Sequence, residues 1–194
     1  MRSSRLTIMP TKTVSLPKHG VTGLLVSEEE TDLFLDYLVE TEPEPAKIHS
    51  QGEEKEEKGV RDAEIRYIDE KQTRLYRILN KIAFSANKYF KYDINGIEKA
   101  QIISYKAPSK GYEYHMDIGP EGTAATRKIS MSLLLNEDYE GGEICFRSSE
   151  YERCTRPEKG EAVIFSSFLS HKVKPITRGE RFVVVAWFTG PPFR

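Results

Sequence analysis

The sequence predicts an α+β chain with supporting helices in its first half and a double-sheet jelly roll in its second. Three observations predict it. Apolar residues recur at helical spacing in two segments ahead of Lys91. From Ala100 onward the pattern changes to short apolar runs punctuated by Gly and Pro. The chemistry-bearing residues His115, Asp117, His171 and Arg181 all fall in that second half, and a jelly roll holds a site between its sheets.

With 194 residues the chain reads as one domain, 1–194, with 1–99 a helical support region and 100–194 the strand-built core. A net charge of −1 and a pI near 6.5 provide no global field for nucleic acid or an anionic membrane. No apolar stretch approaches the length of a membrane span. The start, Met1 to Thr7, lacks the h-region of a signal peptide. Cys145 and Cys154 do not form a CxxC pair and are read as free thiols, with a reducing cytoplasmic setting as the expectation.

Ser27-x-x-Glu30 is a capping box that opens a helix carrying Leu33, Phe34, Tyr37 and Leu38. Residues 42–59, with Glu42-Pro43-Glu44-Pro45 and the charged run from Gln51 to Gly59, have no apolar face and read as a mobile loop. Such a loop is either a lid over the site or a solvated insertion, and both readings stay open. A second helix runs from near Asp69 to Phe90, with Leu75, Ile78, Leu79, Ile82, Ala83, Ala86 and Phe90 on one stripe. Asn95-Gly96 makes a turn. Strands follow at Gln101–Tyr105, Ile129–Leu135, Glu143–Phe146, Ala162–Phe165 and Phe182–Thr189. Asp138-Tyr139-Glu140-Gly141-Gly142 reads as a tight turn.

His115 and Asp117 are two apart, so on a strand they share a face and one metal can accept both. His-x-Asp alone is a weak signal, and a surface histidine beside Tyr114 is the bland alternative. The chain has four histidines, which leaves His19, His49 and His171 as candidates for a third ligand. His19 lies in the irregular start and His49 in the mobile loop, whereas His171 follows a strong strand. His171 is therefore the third ligand in this reading. Two imidazoles and one carboxylate leave coordination positions open, the pattern of non-haem Fe(II) oxygenases. Arg181 heads the apolar run Phe182 to Phe188, and alternation puts Arg181, Val183, Val185 and Trp187 on one face. A guanidinium placed inside needs an anion. Taken alone Arg181 is better read as pairing with Glu180 or Glu161; in series with the triad it is read as an anion receptor. Tyr105 is either a phenolic donor to a bound carboxylate or a half-buried strand aromatic. Arg127 and Lys128 are rim charges or substrate contacts.

Several stretches together resemble a known family. They are Tyr112-Glu113-Tyr114-His115-Met116-Asp117, Arg127-Lys128-Ile129-Ser130, Tyr139-Glu140-Gly141-Gly142-Glu143 and Gly160-Glu161-Ala162-Val163-Ile164-Phe165. His171-Lys172-Val173-Lys174-Pro175, Thr177-Arg178-Gly179-Glu180-Arg181 and Gly190-Pro191-Pro192-Phe193-Arg194 continue the series. In this order they resemble the catalytic core of 2-oxoglutarate and Fe(II)-dependent dioxygenases of the prolyl 4-hydroxylase type, and compact bacterial and phage members above all. The resemblance covers the C-terminal half and, more loosely, the helix from Asp69 to Phe90.

The resemblance implies a double-stranded β-helix, another name for this jelly roll. It implies Fe(II) on His115, Asp117 and His171, with 2-oxoglutarate chelating the iron and its distal carboxylate on Arg181, aided by Tyr105. Trp187 would pack beside the co-substrate. O2 would then be used to hydroxylate a C–H bond with release of succinate and CO2, and ascorbate dependence is a further family expectation. Collagen-type prolyl hydroxylases carry lysine at the arginine position, and only arginine makes a bidentate pair. Some members bind the distal carboxylate with a strand tyrosine near Leu133; Leu133 to Leu135 offer no phenol. Alkylated-base repair oxygenases share the triad but carry a second arginine six positions on, where this chain has Trp187, which counts against nucleic acid as substrate. The expected substrate is a peptide or protein side chain, with proline the first guess. A free amino acid or small metabolite is the alternative within the same chemistry. A jelly-roll binding module with a vestigial triad is the alternative outside it.

Overall fold

The structure is a computed structural model and describes residues 10–11, 22–45, 48–50, 53–55, 63–148 and 151–193. The first part of the chain forms β1 (Pro10–Thr11), β2 (Thr22–Leu25), α1 (Glu28–Glu40), β3 (Glu44–Pro45), β4 (Ile48–Ser50) and β5 (Glu53–Lys55). β6 (Glu64–Tyr67), α2 (Thr73–Phe90) and β7 (Gly96–Ile97) follow. The second part is almost all strand: β8 (Gln101–Lys106), β9 (Tyr112–His115), β10 (Arg127–Leu134), β11 (Tyr139–Gly141) and β12 (Ile144–Ser148). It ends with β13 (Tyr151–Thr155), β14 (Glu161–Ser166), β15 (His171–Val173) and β16 (Ile176–Thr189).

Both helices begin and end for local reasons. Ser27 caps α1, its hydroxyl accepting from the Glu30 N–H at 3.2 Å, and Glu28, Glu29 and Glu30 lie at the positive end of the helix dipole. α2 starts at Thr73, four residues later than the periodicity suggests, because Asp69 to Gln72 close a separate turn through Gln72 N–H to the Asp69 carbonyl. It stops at Lys91, which adopts φ 58° and donates back to the Asn87 carbonyl. Its apolar stripe buries Leu75, Ile78, Leu79 and Ile82, each large aliphatic chain contributing about 1.5–3 kcal/mol.

Among the described residues the major sheet runs β1-β2-β14-β10-β16-β8-β6-β3, with β11 and β7 also paired to β16. The minor sheet runs β13-β12-β15-β9. One face of the major sheet, with Ile102, Ile129, Met131, Leu133, Ile164, Val184 and Phe188, packs on the two helices. The other face meets the minor sheet, where Val163 and Phe165 of β14 pack on Ile144 and Phe146 of β12. The double-stranded β-helix expected from the sequence is therefore the observed core, and it borrows β6 and β3 from the N-terminal half.

Three expectations are corrected. Cys145 and Cys154 are not free thiols: antiparallel β12 and β13 set them opposite each other with Cα atoms 3.9 Å apart, and they form a disulfide. The cysteines thus lend no support to a reducing compartment. The segment Asp138–Gly142 is not merely a turn, since Tyr139–Gly141 forms β11 and pairs with β16. The region 42–59 is not all loop. β3 pairs with β6 at the edge of the major sheet, a place that tolerates Pro45, and β4 pairs with β5. The remainder of that region, residues 46–47, 51–52 and 56–59, lies outside the described residues, as does His19.

Candidate metal centre and anion pocket

His115 ends β9, and His171 begins β15 directly across from it in the antiparallel register. The two imidazole centroids are 4.2 Å apart. Asp117 completes the group, but not by strand alternation: β9 stops at His115. A bend delivers the carboxylate instead. It is held by the amides of Asp117 and Ile118, which both donate to the Ser167 carbonyl at 3.0 and 3.2 Å. Met116, between the two, points to solvent.

The ring nitrogens are set by the backbone. His115 Nδ1 lies 2.8 Å from the Glu113 carbonyl and His171 Nδ1 2.9 Å from the Leu169 carbonyl. A carbonyl only accepts, so each Nδ1 carries the proton and each Nε2 keeps its lone pair. His115 Nε2 is 3.7 Å from Asp117 Oδ1 and His171 Nε2 is 3.6 Å from Asp117 Oδ2. These gaps exceed a hydrogen bond yet suit two bonds of about 2.1 Å to a shared ion. The three side chains could hold a metal ion, and their ligand atoms all lie within 4.8 Å of one another. Phe165 and Phe146 wall the His171 ring at centroid distances of 4.6 and 6.1 Å.

Arg127 braces this group. Its Nε and NH2 each lie 2.7 Å from a Glu98 carboxylate oxygen, and its NH1 donates to the Asp117 carbonyl at 3.0 Å. The guanidinium also sits 4.0 Å from the centroid of the Trp187 ring. Arg127 thus ties Asp117 to Trp187. On the minor sheet, Tyr114 donates to Glu152, and the Lys172 ammonium lies 2.8 Å from the same carboxylate. Lys172 and Tyr114 hold the Glu152 carboxyl below its ordinary range.

Register shows which face carries the second feature. Ser130 stands opposite both Phe165 and Trp187, so the three share a face, and Phe165 touches His171. Alternation along β16 carries that face from Trp187 to Arg181. Arg181 is 1% exposed, and none of its three nitrogens has a hydrogen-bond partner among the described residues. It pairs with neither Glu180 nor Glu161. Its guanidinium carbon lies 5.9 Å from the Tyr105 ring centroid and 6.0 Å from that of Tyr139. A buried cation in this state demands an anion, and a carboxylate meets the planar fork with two bonds.

Sequence reasoning missed two residues here. Tyr139 is 2% exposed with its hydroxyl unpartnered. Gly142 adopts φ +69°, and a Cβ there would lie 2.8 Å from Arg181 Cδ and 3.2 Å from Tyr139 Cε2. The Gly-Gly pair therefore makes room for the guanidinium as well as turning the chain.

Residues 100–189 match the 2OG-Fe(II) oxygenase superfamily. A PKHD-type hydroxylase from Alteromonas mediterranea is 31% identical over 86 residues, covering 41% of this chain and 38% of that protein. One from Colwellia psychrerythraea is 36% identical over 90 residues, covering 44% and 40%. The chain thus spans about two fifths of the length of the curated relatives it matches. Among solved structures, a Pseudomonas putida prolyl-4-hydroxylase superposes with TM-score 0.72 at 19% identity, covering 88% of this chain and 92% of that one. The viral collagen prolyl hydroxylase of Paramecium bursaria Chlorella virus-1, in its 2OG complex, gives 0.63 at 18% identity, covering 87% and 94%. A Trichoplax adhaerens prolyl hydroxylase, in complex with a hypoxia inducible factor oxygen degradation domain peptide, gives 0.66 at 18%, covering 84% and 77%.

Proposed function

We propose that this chain, whose residues 100–189 match the 2OG-Fe(II) oxygenase superfamily, hydroxylates a peptide or protein side chain with Fe(II), O2 and 2-oxoglutarate. Proline is the first substrate to test. The observation that carries the reading is Arg181: buried, charged, unpartnered and on the sheet face that also meets the His171 wall. A structural metal centre has no use for such a group, whereas a dicarboxylate co-substrate does.

In this reading His115 and His171 present Nε2 lone pairs, and Asp117 supplies the anionic ligand. When bound, iron and the 2-oxo acid supply oxygen activation, with 2-oxoglutarate and O2 converted to succinate, CO2 and the hydroxyl delivered to the substrate C–H. Arg181 takes the distal carboxylate bidentately, and Tyr105 donates beside it. Trp187, held by Arg127, closes the neighbouring wall. Phe146 and Phe165 keep water from the His171 side, which strengthens each charge contact. The peptide assignment draws support from the names of the relatives and from the peptide carried by the Trichoplax adhaerens structure.

The test begins with the metal-free protein under nitrogen. Fe(II) and 2-oxoglutarate together should produce a weak visible charge-transfer band that neither produces alone and that His171→Ala lacks. Proline-containing peptides should then raise succinate formation. If peptides do nothing while a free amino acid or metabolite does, the peptide assignment is abandoned and the chemistry stands.

A further inference from the structure

The structure points to Tyr139 as a further residue for co-substrate binding, donating its phenolic hydrogen bond to the same distal carboxylate that Arg181 holds. This rests on the 2-oxo acid reading above. Among the described residues the buried side-chain atoms without a partner are Gln101 Oε1, Trp187 Nε1, three nitrogens of Arg181 and the hydroxyl of Tyr139. Five of these six are donors, and the four on Arg181 and Tyr139 belong to neighbouring side chains. A fully buried hydroxyl is seldom left unbonded, because the desolvation it suffers is not recovered. A carboxylate bound at Arg181 would lie next to the Tyr139 ring, whose centroid is 6.0 Å from the guanidinium carbon, and would give its hydroxyl an acceptor.

Three features aim the phenol. β11 pairs with β16 at Tyr139↔Gly179, which places the ring in the same cluster as Tyr105, Leu134, Ile176 and Val183. Gly142 packs against both partners: a Cβ there would fall 3.2 Å from Tyr139 Cε2 and 3.3 Å from Arg181 Nε. Arg156 pins the outer side, its NH2 donating to the Tyr139 carbonyl at 2.7 Å and its guanidinium 4.8 Å from the ring centroid. Two guanidiniums thus lie within 6.0 Å of the ring centroid, while its hydroxyl has no partner in the protein. β10 offers only Leu134 to this cluster, so β11 supplies a phenol that β10 does not. Together with Tyr105 this gives a cation flanked by two phenols, a receptor for a carboxylate with several lone pairs to fill.

The test compares wild type, Tyr139→Phe and Tyr105→Phe by anaerobic titration of the Fe(II) protein, read by the visible band. Each protein is titrated with 2-oxoglutarate and with pyruvate, a 2-oxo acid that lacks the distal carboxylate. Tyr139→Phe should weaken 2-oxoglutarate about tenfold, as expected for a hydrogen bond to a charged group, and leave pyruvate unchanged. Its melting temperature without ligand should be no lower than that of wild type, because the hydroxyl lost is buried without a partner in the protein. Equal 2-oxoglutarate affinity in Tyr139→Phe and wild type overturns the assignment. So does equal weakening of both acids, which marks a structural role. No band in wild type overturns the 2-oxo acid reading itself, and Tyr139's role falls with it.

Discussion

Replacing Arg181 with methionine should stabilise the ligand-free protein and destroy its response to 2-oxoglutarate. The guanidinium is 1% exposed and its three nitrogens lack protein partners. Leaving a buried charge uncompensated costs about 3–5 kcal/mol in proteins where one partner of a buried pair has been removed. Water reaching the pocket reduces that cost, and methionine keeps most of the packing of the arginine stem. A net gain of about 1–2 kcal/mol is expected for the variant. For a chain of 194 residues this raises the melting temperature by roughly 2–4 °C per kcal/mol. Adding 2-oxoglutarate at about one hundred times its Kd, with Fe(II) and no oxygen, should stabilise wild type by about 2.7 kcal/mol and the variant hardly at all. The order of the two melting curves therefore inverts on adding ligand, which calorimetry reads directly. A variant less stable than wild type by more than about 1 kcal/mol without ligand would mean that Arg181 already has a satisfactory counter-charge. Equal ligand shifts in both proteins would mean that the anion sits elsewhere.

Gly142→Ala should cost about 1–2 kcal/mol from its left-handed conformation, and its Cβ, 2.8 Å from Arg181 Cδ, should weaken 2-oxoglutarate by more than that strain alone; unchanged affinity in titration counts against the pocket as described. Glu98→Gln removes the charge that orients Arg127 and, through it, the Asp117 carbonyl. Metal affinity, measured by Mn(II) electron resonance, should fall about tenfold, the scale of outer-shell effects, and no fall would reduce Arg127 to a surface ion pair. Reducing the Cys145–Cys154 disulfide, which closes a separation of 9 residues, should cost about 2–3 kcal/mol, read as a lower melting temperature that Cys145→Ser/Cys154→Ser reproduces. No change with reductant would show that the pairing of β12 and β13 stands without the bond.

Much of the site was legible because its signals are local. Ser27 and Glu30 sit in one helical turn, and the Ser27 half of the capping box forms as expected, while the Glu30 carboxylate lies near Lys81 instead. Arg181 is a cation heading an apolar run; alternation groups it with Trp187, only the triad in series makes it an anion receptor, and the structure leaves it buried and unpaired on that face. His171 was reached by elimination among four histidines. Asp117 was found through an argument that does not hold. Strand alternation was to bring it beside His115, but β9 ends before it, and the Ser167 carbonyl, fifty residues away in sequence, anchors the bend that does so. The spacing His-x-Asp survives because a bend just past a strand end also reaches the face that the strand residues share.

What escaped the sequence depends on pairing between distant strands. Cys145 and Cys154 look unrelated until β13 is recognised, and Tyr151–Thr155, with Glu152, Arg153 and Cys154 exposed, carries no apolar alternation to announce a strand. Tyr139 presents the same difficulty in another form. Asp138-Tyr139-Glu140-Gly141-Gly142 has the composition of a turn, and turn residues are normally solvated. Burial of this one follows from its partner, since Gly179 lets the Asp138 carbonyl approach to 2.1 Å of where its own Cβ would be and so draws β11 tight against β16. A charged residue in an apolar run signals its need for a partner in one dimension. A phenol in a turn signals nothing until the register is known, and the register is a property of two segments. The unpartnered hydroxyl of Tyr139, on a ring whose centroid lies 6.0 Å from the unpartnered guanidinium of Arg181, is therefore visible only in three dimensions.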